Sequence, residues 1–365
     1  MKILNILFNY KKSLHNNKIL GVERCFLDYA KNFTANDCEV LSISQNQILY
    51  NNFFADNNLP FIEVAAKNRF DIKSLLIIIK NIIKFSPDVA ICHSGKAMFF
   101  LRLARLLSLK KFAIIAIDHG IKPTKFLNAD AVFTVNSYFN RMIIDAGKNP
   151  DSAFIVPNMI DLPDNFQFLN KSTFHRPIRL GSLGRLYPEK SFDMVIKAMK
   201  ILKDQNIDTE YVIGGVGYQK EYLLDLAKYQ GLADNFKILG WVDDKRKFFS
   251  DIDIFILPSA HETFGIVLLE AMLYNTPIIT TNSFGPNDII NNDVDGIKID
   301  IQGDKVNDYA LDIANAIIKL NNNQDFAREI AYNGYQKFLN NYQSAKVVAL
   351  IKSYLEKVKS QYFNK

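Results

Sequence analysis

The stretch Pro258-Ser259-Ala260-His261-Glu262-Thr263-Phe264-Gly265-Ile266-Val267-Leu268-Leu269-Glu270-Ala271-Met272 carries the pattern that decides the fold. The apolar run that ends at Leu257 predicts a buried strand, and the spacing of Ile266 and Leu269 predicts a helix that begins near Gly265. A strand, a loop and a helix N-terminus therefore follow one another. The unpaired N–H groups and the dipole of the first helical turn favour a phosphate group at this place.

Two carboxylates of this stretch are separated along the helix axis, because Glu262 lies in the loop and Glu270 about one and a half turns into the helix. In this arrangement one carboxylate can bind sugar hydroxyls and the other a ribose, while Gly265 lets a phosphate approach. Two ordinary surface glutamates at a helix start would show the same spacing. The rest of the sequence must decide between these interpretations.

A second motif, Gly181-Ser182-Leu183-Gly184-Arg185-Leu186-Tyr187-Pro188-Glu189-Lys190-Ser191, combines a predicted strand with a tight turn and the start of an amphipathic helix. It places Arg185 and Lys190 after the carboxyl end of the strand, where ligands bind in open α/β sheets. An arginine fork together with a lysine point charge suits a diphosphate. We expect Ser191 to cap the helix N-terminus with its side chain.

Together the two motifs resemble those of the retaining nucleotide-sugar glycosyltransferases of family 4, most strongly from Ile178 to Ile299. The resemblance implies the GT-B fold, in which two Rossmann-like α/β domains face each other across a cleft. It also implies that Glu262 binds hydroxyls of the donor sugar, Glu270 binds the ribose, and Arg185 and Lys190 bind the diphosphate. The family has glycine where this chain has Ser191. The other residues that the resemblance places at the donor are Gly184, Val242, Phe264, Gly265, Ile266 and Val267.

The N-terminal part shows weaker matches to the same family. A glycine pair lies beside the diphosphate in relatives, but this chain has Leu20-Gly21, so only Gly21 is carried over as a donor-binding residue. A predicted strand ends at Asp118-His119-Gly120, and in relatives a histidine at this place faces the transferred sugar. His119 is therefore the N-terminal catalytic candidate. His93 also follows a predicted strand and is expected on the acceptor side, although a structural role is the alternative for each histidine.

The length of 365 residues favours two domains. We expect an acceptor-binding Rossmann-like domain over residues 1–160, a linker over 161–176 and a nucleotide-sugar-binding Rossmann-like domain over 177–343. Residues 344–365 are expected to form a helix, which in relatives packs back on the N-terminal domain. The residues that we expect to make this contact are Val347, Val348, Leu350, Ile351, Leu355 and Val358.

The sequence gives less support to a dinucleotide-binding site or a metal site. The glycines from Gly214 to Gly217 do not continue into a dinucleotide fingerprint, because Lys220 stands where its last glycine belongs. Two Asp-x-Asp triplets, Asp251-Ile252-Asp253 and Asp293-Val294-Asp295, lack the further ligands of an oxygen-rich metal site, so no metal site is predicted. The three cysteines, Cys25, Cys38 and Cys92, show no metal-ligand spacing and indicate free thiols in a reducing compartment.

Charge is spread unevenly along the chain. Residues 1–148 hold 20 Lys and Arg against 11 Asp and Glu, whereas the remainder holds 24 against 27. Two apolar helices edged with cations are predicted in the basic part, Lys73 to Lys84 and Ala97 to Lys111. Such helices can lie on an anionic membrane surface, and the alternative is that both pack on their sheet with solvated basic rims. Nucleic acid is a poorer partner, because no binding motif is present.

The sequence therefore predicts a retaining, metal-independent glycosyltransferase without a cofactor. It would move a sugar from a nucleoside-diphosphate sugar to a hydroxyl acceptor, by family analogy a lipid-linked or envelope saccharide. We expect a cytoplasmic protein, with attachment to the inner face of the cell membrane left open. Two alternatives also stay open: a nucleotide-sugar epimerase, and a non-catalytic sugar-nucleotide-binding subunit, since Leu20 and Ser191 depart from the family pattern.

Overall fold

The computed structural model describes residues 1–8, 21–45, 48–120, 123–163, 166–171, 173–301 and 308–364. It divides into two compact units, one formed by Met1–Met159 with Ser344–Lys365 and the other by Ile160–Gln343. Each unit is built on one parallel sheet with helices between successive strands. This confirms the predicted α/β class with two Rossmann-like sheets.

The first unit contains a seven-stranded sheet in the order β3-β2-β1-β4-β5-β6-β7. The chain order reverses between β1 and β4, so this is where the two halves of the sheet meet. Its strands are β1 (Lys2–Leu7), β2 (Glu39–Ser44), β3 (Phe61–Glu63), β4 (Val89–Cys92), β5 (Ala113–Asp118), β6 (Ala131–Thr134) and β7 (Ala153–Ile155). Its first helices are α1 (Gly21–Ala35), α2 (Ile48–Asp56), α3 (Ile72–Phe85), α4 (Gly95–Ser108) and α5 (Ser137–Asp145).

The second unit contains a six-stranded sheet in the order β10-β9-β8-β11-β12-β13. Its strands are β8 (Ile178–Leu183), β9 (Thr209–Gly214), β10 (Phe236–Gly240), β11 (Ile254–Leu257), β12 (Ile278–Thr281) and β13 (Ile297–Ile299). Its helices are α6 (Phe192–Asp204), α7 (Lys220–Tyr229), α8 (Lys245–Asp251), α9 (Ile266–Leu273), α10 (Phe284–Ile289), α11 (Ala310–Asn322) and α12 (Gln324–Asn341). The chain order reverses between β8 and β11. The end of β8 opens the motif that starts at Gly181, and β11 directly precedes the motif that starts at Pro258.

The segment over residues 161–176, predicted as a linker, lies within the second unit. Lys171 donates from Nζ to the carbonyl oxygen of Ile252 at 2.5 Å, and the backbone N–H of His175 donates to Asp253 at 3.0 Å. These bonds tie the segment to the start of β11, so its position is set by the sheet that follows it.

The C-terminal helix α13 (Ser344–Phe363) packs on the first unit, as predicted. Its apolar side chains join the core on one face of the sheet, against residues of β4, β5 and β6 such as Ile91, Ile115 and Phe133. The members from α13 are Val347, Val348, Ile351, Leu355 and Val358. Leu350, which was expected among them, is only partly buried and lies outside this cluster.

We expect Ile351→Ala to lower the free energy of unfolding of the first unit by about 2–4 kcal/mol, because it empties a fully buried site in this core. Hydrogen exchange of the β5 and β6 amides in increasing urea measures the effect. Leu350→Ala is the matched control on the same helix and should cost less than about 1 kcal/mol. Equal effects of the two substitutions would contradict this assignment of the α13 contact.

Candidate active site

The two sequence motifs meet because β8 and β11 are neighbouring parallel strands. Leu180 pairs with Ile254 and Gly181 with Phe255, so the loops that follow both strands leave the same edge of the sheet. This edge is also where the strand order reverses, the usual position of a ligand site in an open α/β sheet. The loops touch directly, since the backbone N–H of Ala260 donates to the carbonyl oxygen of Glu189 at 3.1 Å.

Lys190 and Glu262 form an ion pair across these loops. Lys190 Nζ lies 2.5 Å from Glu262 Oε2, and the two side chains are only 13% and 12% exposed. The residues are 72 positions apart in the sequence, and each belongs to a different motif. A charge-assisted contact of this kind is strong, and it places the predicted phosphate-binding and sugar-binding groups side by side.

Arg185 lies in the same loop as Lys190 but is held more loosely. Its guanidinium carbon is 4.9 Å from the centre of the Tyr187 ring, and a guanidinium nitrogen is 3.7 Å from Glu189 Oε1. Half of the side chain remains exposed. Cation–π stacking on the ring orients the guanidinium. Arg185 therefore presents a positive charge to solvent in the loop that follows β8.

Glu270, the second glutamate of the motif, also has a lysine partner. Lys245, the first residue of α8, places Nζ 3.3 Å from Glu270 Oε2. The turn before α8 contains Val242, which packs so closely on the end of β9 that a Cβ at Gly214 would lie 2.6 Å from its side chain. Lys245 was not singled out in the sequence.

Gly265 holds the backbone in a conformation that favours glycine. It precedes α9 with φ +89°, and a Cβ there would approach Leu257 and Leu268 to 3.2 Å. Phe264 beside it is buried, and the backbone N–H of Gly285 donates to the carbonyl oxygen of Glu262 at 2.9 Å. The loop is therefore braced on both sides, while the next two residues, Ile266 and Val267, are partly exposed on the first turn of α9.

The glycine-rich end of β9 serves close backbone packing. A Cβ at Gly215 would lie 1.8 Å from the carbonyl oxygen of Gly184, and one at Gly217 would lie 2.3 Å from that of Leu186. The N–H of Gly215 also donates to the carbonyl oxygen of Gly240 at 2.6 Å. These contacts hold the loop that carries Arg185 and Lys190 against the neighbouring strand ends.

The expectation for Ser191 was wrong in one respect. Ser191 precedes α6, but its side chain makes no helix-capping bond, and its hydroxyl instead donates to the carbonyl oxygen of Pro188 at 3.4 Å. The reason is its left-handed backbone, with φ +52°, which joins the 3₁₀ turn Pro188–Lys190 to α6. Glycine adopts this conformation without steric penalty, which explains the glycine of the family pattern.

The Asp-x-Asp triplets are held by structural partners. Asp253 is buried at the amino end of β11, away from the candidate site, where it accepts from the backbone N–H groups of His175 and Arg179. In the second triplet Asp293 pairs with Lys319 at 2.7 Å and Asp295 with Lys337 at 2.8 Å.

In the first unit, His93 and His119 follow β4 and β5, and their rings are in contact. His93 Nδ1 lies 3.3 Å from His119 Nε2, and His93 Nε2 lies 2.9 Å from Asn5 Oδ1. Burial lowers the pKa of His119 to about 4. Burial, with a smaller contribution from His119, holds the pKa of His93 well below its usual value. His93 is 3% exposed with both ring nitrogens in contact, so it lies behind His119.

Gly21, the remaining donor-side candidate, is the exposed first residue of α1. Leu20, the other member of the pair compared with the family, lies outside the described residues.

Helices α3 and α4 of the first unit lie side by side and expose large apolar side chains. We call this the α3/α4 surface, and Arg69 links its two parts by lying 5.9 Å from the Phe99 ring. Its exposed apolar residues are Phe70, Ile72, Leu76, Ile77, Ile83, Phe99, Leu106, Leu107 and Leu109. Its exposed cations are Lys73, Lys80, Lys84, Arg102 and Lys111, whereas Arg105 pairs with Asp130.

We expect the Lys190–Glu262 pair to be strongly coupled. Lys190→Ala should lower the free energy of unfolding of the second unit by about 1–3 kcal/mol, because it leaves a largely buried carboxylate without its partner. Adding Glu262→Ala should restore part of that loss. Urea unfolding of both single variants and the double variant gives the coupling energy.

The control cycle uses Lys200 and Asp204, an exposed pair on α6, whose coupling should stay below about 0.5 kcal/mol. Similar coupling energies in the two cycles would show that the Lys190–Glu262 contact is not held as described.

Comparison with known proteins connects this geometry to a family. Residues 165–337 match the model of the family described as glycosyl transferases group 1. The chain is 38% identical over 195 residues to an uncharacterized glycosyltransferase of Methanocaldococcus jannaschii, covering 50% of each protein. It is 28% identical over 265 residues to the UDP-Gal:alpha-D-GlcNAc-diphosphoundecaprenol alpha-1,3-galactosyltransferase of Escherichia coli, covering 63% of this chain and 67% of that protein. The match to the archaeal relative thus spans about half of that protein's length.

Among solved structures, HepE of Anabaena in complex with UDP-glucose has a TM-score of 0.77 at 17% sequence identity, covering 98% of this chain and 99% of that one. At this identity the likeness concerns the fold, and it extends over both units. The matched family model covers the strands and loops that carry Arg185, Lys190, Glu262 and Glu270. Residues 165–337 therefore match the family of group 1 glycosyltransferases, and the chain has the GT-B fold with two parallel Rossmann-like sheets.

Proposed function

We propose that this protein moves a sugar from a nucleoside-diphosphate sugar to a hydroxyl acceptor with retention of anomeric configuration and without a catalytic metal. The observation that carries the proposal is the contact between Lys190 and Glu262 at the strand ends of β8 and β11, with the half-exposed guanidinium of Arg185 in the same loop as Lys190. One site thus offers two cations for a diphosphate and a carboxylate for sugar hydroxyls.

The chemistry follows from where charge develops. Breaking the bond between the anomeric carbon and the phosphate oxygen leaves negative charge on the diphosphate and positive charge on the sugar. Preorganised cations stabilise the leaving group most in a site of low solvent exposure. The Lys190 ammonium is a cation of this kind, because its side chain is largely buried. When the diphosphate takes the ammonium of Lys190, the carboxylate of Glu262 becomes available to sugar hydroxyls. Because neither motif supplies a clear nucleophile, we propose attack by the acceptor hydroxyl on the face that the diphosphate leaves.

The remaining donor contacts are assigned by position. Glu270 and Lys245 lie together on α9 and α8, and we propose that Glu270 binds the ribose hydroxyls. Val242, in the turn before α8, would then flank the base, and the first turn of α9 with Gly265 would receive the diphosphate. From the first unit we propose His119 for contact with the transferred sugar.

A uridine nucleotide is the donor to test first. HepE binds UDP-glucose in its crystal structure, and the E. coli relative is named for UDP-galactose. A ligand at 100 times its dissociation constant adds about 2.7 kcal/mol of stability, so we expect UDP-glucose or UDP-galactose to raise the melting temperature by several degrees, with and without EDTA.

The same shift should disappear in Lys190→Ala and persist in Lys200→Ala, a lysine of the neighbouring helix away from the strand ends. A shift that EDTA removes would contradict metal independence, and an equal shift in both variants would contradict the site. Release of an epimerised nucleotide sugar without an acceptor would instead identify an epimerase.

For the acceptor we propose a lipid-linked saccharide, reached while the α3/α4 surface lies on an anionic membrane. Apolar side chains edged by lysine and arginine suit the boundary between acyl chains and anionic headgroups. The E. coli relative is named for an acceptor that carries diphosphoundecaprenol, which supports the same choice. Within the described part of the chain, no helix combines the length and the hydropathy of a membrane span.

We expect the protein to float with liposomes that contain anionic phospholipid and to stay at the bottom with neutral liposomes. Replacing Leu106 and Leu109, which are 69% and 89% exposed, by serine should reduce the floated fraction several-fold. Leu311→Ser changes an exposed leucine of the second unit and should leave flotation unchanged. Protein that stays at the bottom with anionic lipid, or an equal loss in the control, would remove the membrane proposal.

A further inference from the structure

We propose that Cys25, His93 and His119 of the first unit bind one divalent metal ion of the zinc class. The three residues come from α1 and from the ends of β4 and β5, and their ligand atoms all lie within 4.8 Å of one another. Cys25 and His93 are buried and His119 is partly exposed, so the cluster is reached from the His119 side.

The hydrogen bonds around His93 show which of its nitrogens is available. The amide nitrogen of Asn5 donates to the carbonyl oxygen of Phe26 at 2.9 Å, which leaves the amide oxygen facing His93 Nε2 at 2.9 Å. An oxygen acceptor at that distance requires Nε2 to carry the hydrogen. In the neutral ring the lone pair therefore lies on Nδ1, the atom that faces His119.

The separation of the two histidines suits a metal ion as well as a shared proton. His93 Nδ1 and His119 Nε2 are 3.3 Å apart. Two nitrogen ligands at 2.0–2.1 Å from a tetrahedral zinc ion lie about 3.3 Å from each other. The thiol of Cys25 supplies a third ligand, of a type that zinc also prefers, and three protein ligands leave one position of a tetrahedral ion for a further ligand.

The surroundings resemble the outer shell of a metal site. A metal-binding histidine usually donates its second ring N–H to an oxygen that fixes its orientation, as His93 does to Asn5. The Tyr29 side chain interacts with the Cys25 thiol, and the rings of Phe26 and Tyr29 pack edge-on against His93. These contacts hold both candidate ligands in place from the core side.

Binding requires two proton movements. The Cys25 thiol releases one proton to solvent as the thiolate–metal bond forms. His119 donates from Nε2 to His93 when no metal is present, so on binding its ring proton must move to its other nitrogen, which frees the Nε2 lone pair. No electron transfer is involved.

The test is titration of the purified full-length protein with cobalt(II), which reports ligand type by its spectrum. We expect one equivalent to bind and to produce a thiolate-to-cobalt charge-transfer band with the intense visible bands of a tetrahedral site. One equivalent of zinc should displace it. Absence of binding at equimolar metal, or a spectrum without the thiolate band, would overturn the proposal and leave a hydrogen bond between the two histidines.

Variants identify the ligands independently of enzyme activity. Cys25→Ser should abolish the charge-transfer band, and His93→Gln should weaken cobalt binding at least tenfold. Cys38→Ala, at another buried cysteine, is the matched control and should bind as the native protein does. Circular dichroism confirms that each variant is folded. An unchanged band in Cys25→Ser, or a loss of the band in Cys38→Ala alone, would contradict the site.

This inference does not rest on the proposed transferase function, since the cobalt titration needs neither donor nor acceptor.

Discussion

The pairing of β8 with β11 is the constraint on which the candidate active site depends. These strands lie side by side although β9, β10 and three helices separate them in the chain. Because the strands are parallel, both following loops emerge at one edge, and the reversal of strand order keeps other connections from covering it. The approach of Lys190 to Glu262, and with it the joining of the two motifs into one site, is a consequence of this topology.

Within the second unit, the carboxylates expected to bind sugar and ribose are each matched by a lysine. Glu262 pairs with Lys190 and Glu270 with Lys245. Isolated charges of low exposure are strongly unfavourable, so a site with two such glutamates is stable without ligand only if cations accompany them. On our proposal, binding exchanges partners: phosphate oxygens take the Lys190 ammonium while sugar hydroxyls take the Glu262 carboxylate. Charge remains compensated throughout, which limits the reorganisation that accompanies binding.

The first unit uses its residues differently. Its basic excess is partly displayed on the α3/α4 surface, where cations border apolar side chains. Other polar residues of its sheet, in contrast, point inward: Asn5 within β1, His93 after β4 and His119 after β5 follow one another in a chain of contacts. Burial keeps both rings neutral at pH 7 by lowering the pKa of each. Neutral imidazoles of this kind can share a proton or bind a metal ion, and His119 is the partly exposed member.

The sequence by itself determined the strands that lead into both motifs and the helix that starts after Gly265, because these follow from local hydrophobic periodicity and turn residues. The fold class was implied by the resemblance of the two motifs to those of a known family. The pattern of α13 by itself indicated only an amphipathic helix, and its packing on the first unit through Ile351 and Leu355 was implied by the same resemblance. Only the tertiary structure decided which side chains are in contact with one another. The Lys190–Glu262 and Lys245–Glu270 pairs, the burial of His93 behind His119 and the approach of Cys25 to both histidines join residues far apart in the chain. The left-handed backbone at Ser191 likewise depends on how the 3₁₀ turn meets α6. Local patterns report the propensity of each segment, whereas distances between segments are set by strand order and packing, which no single segment encodes.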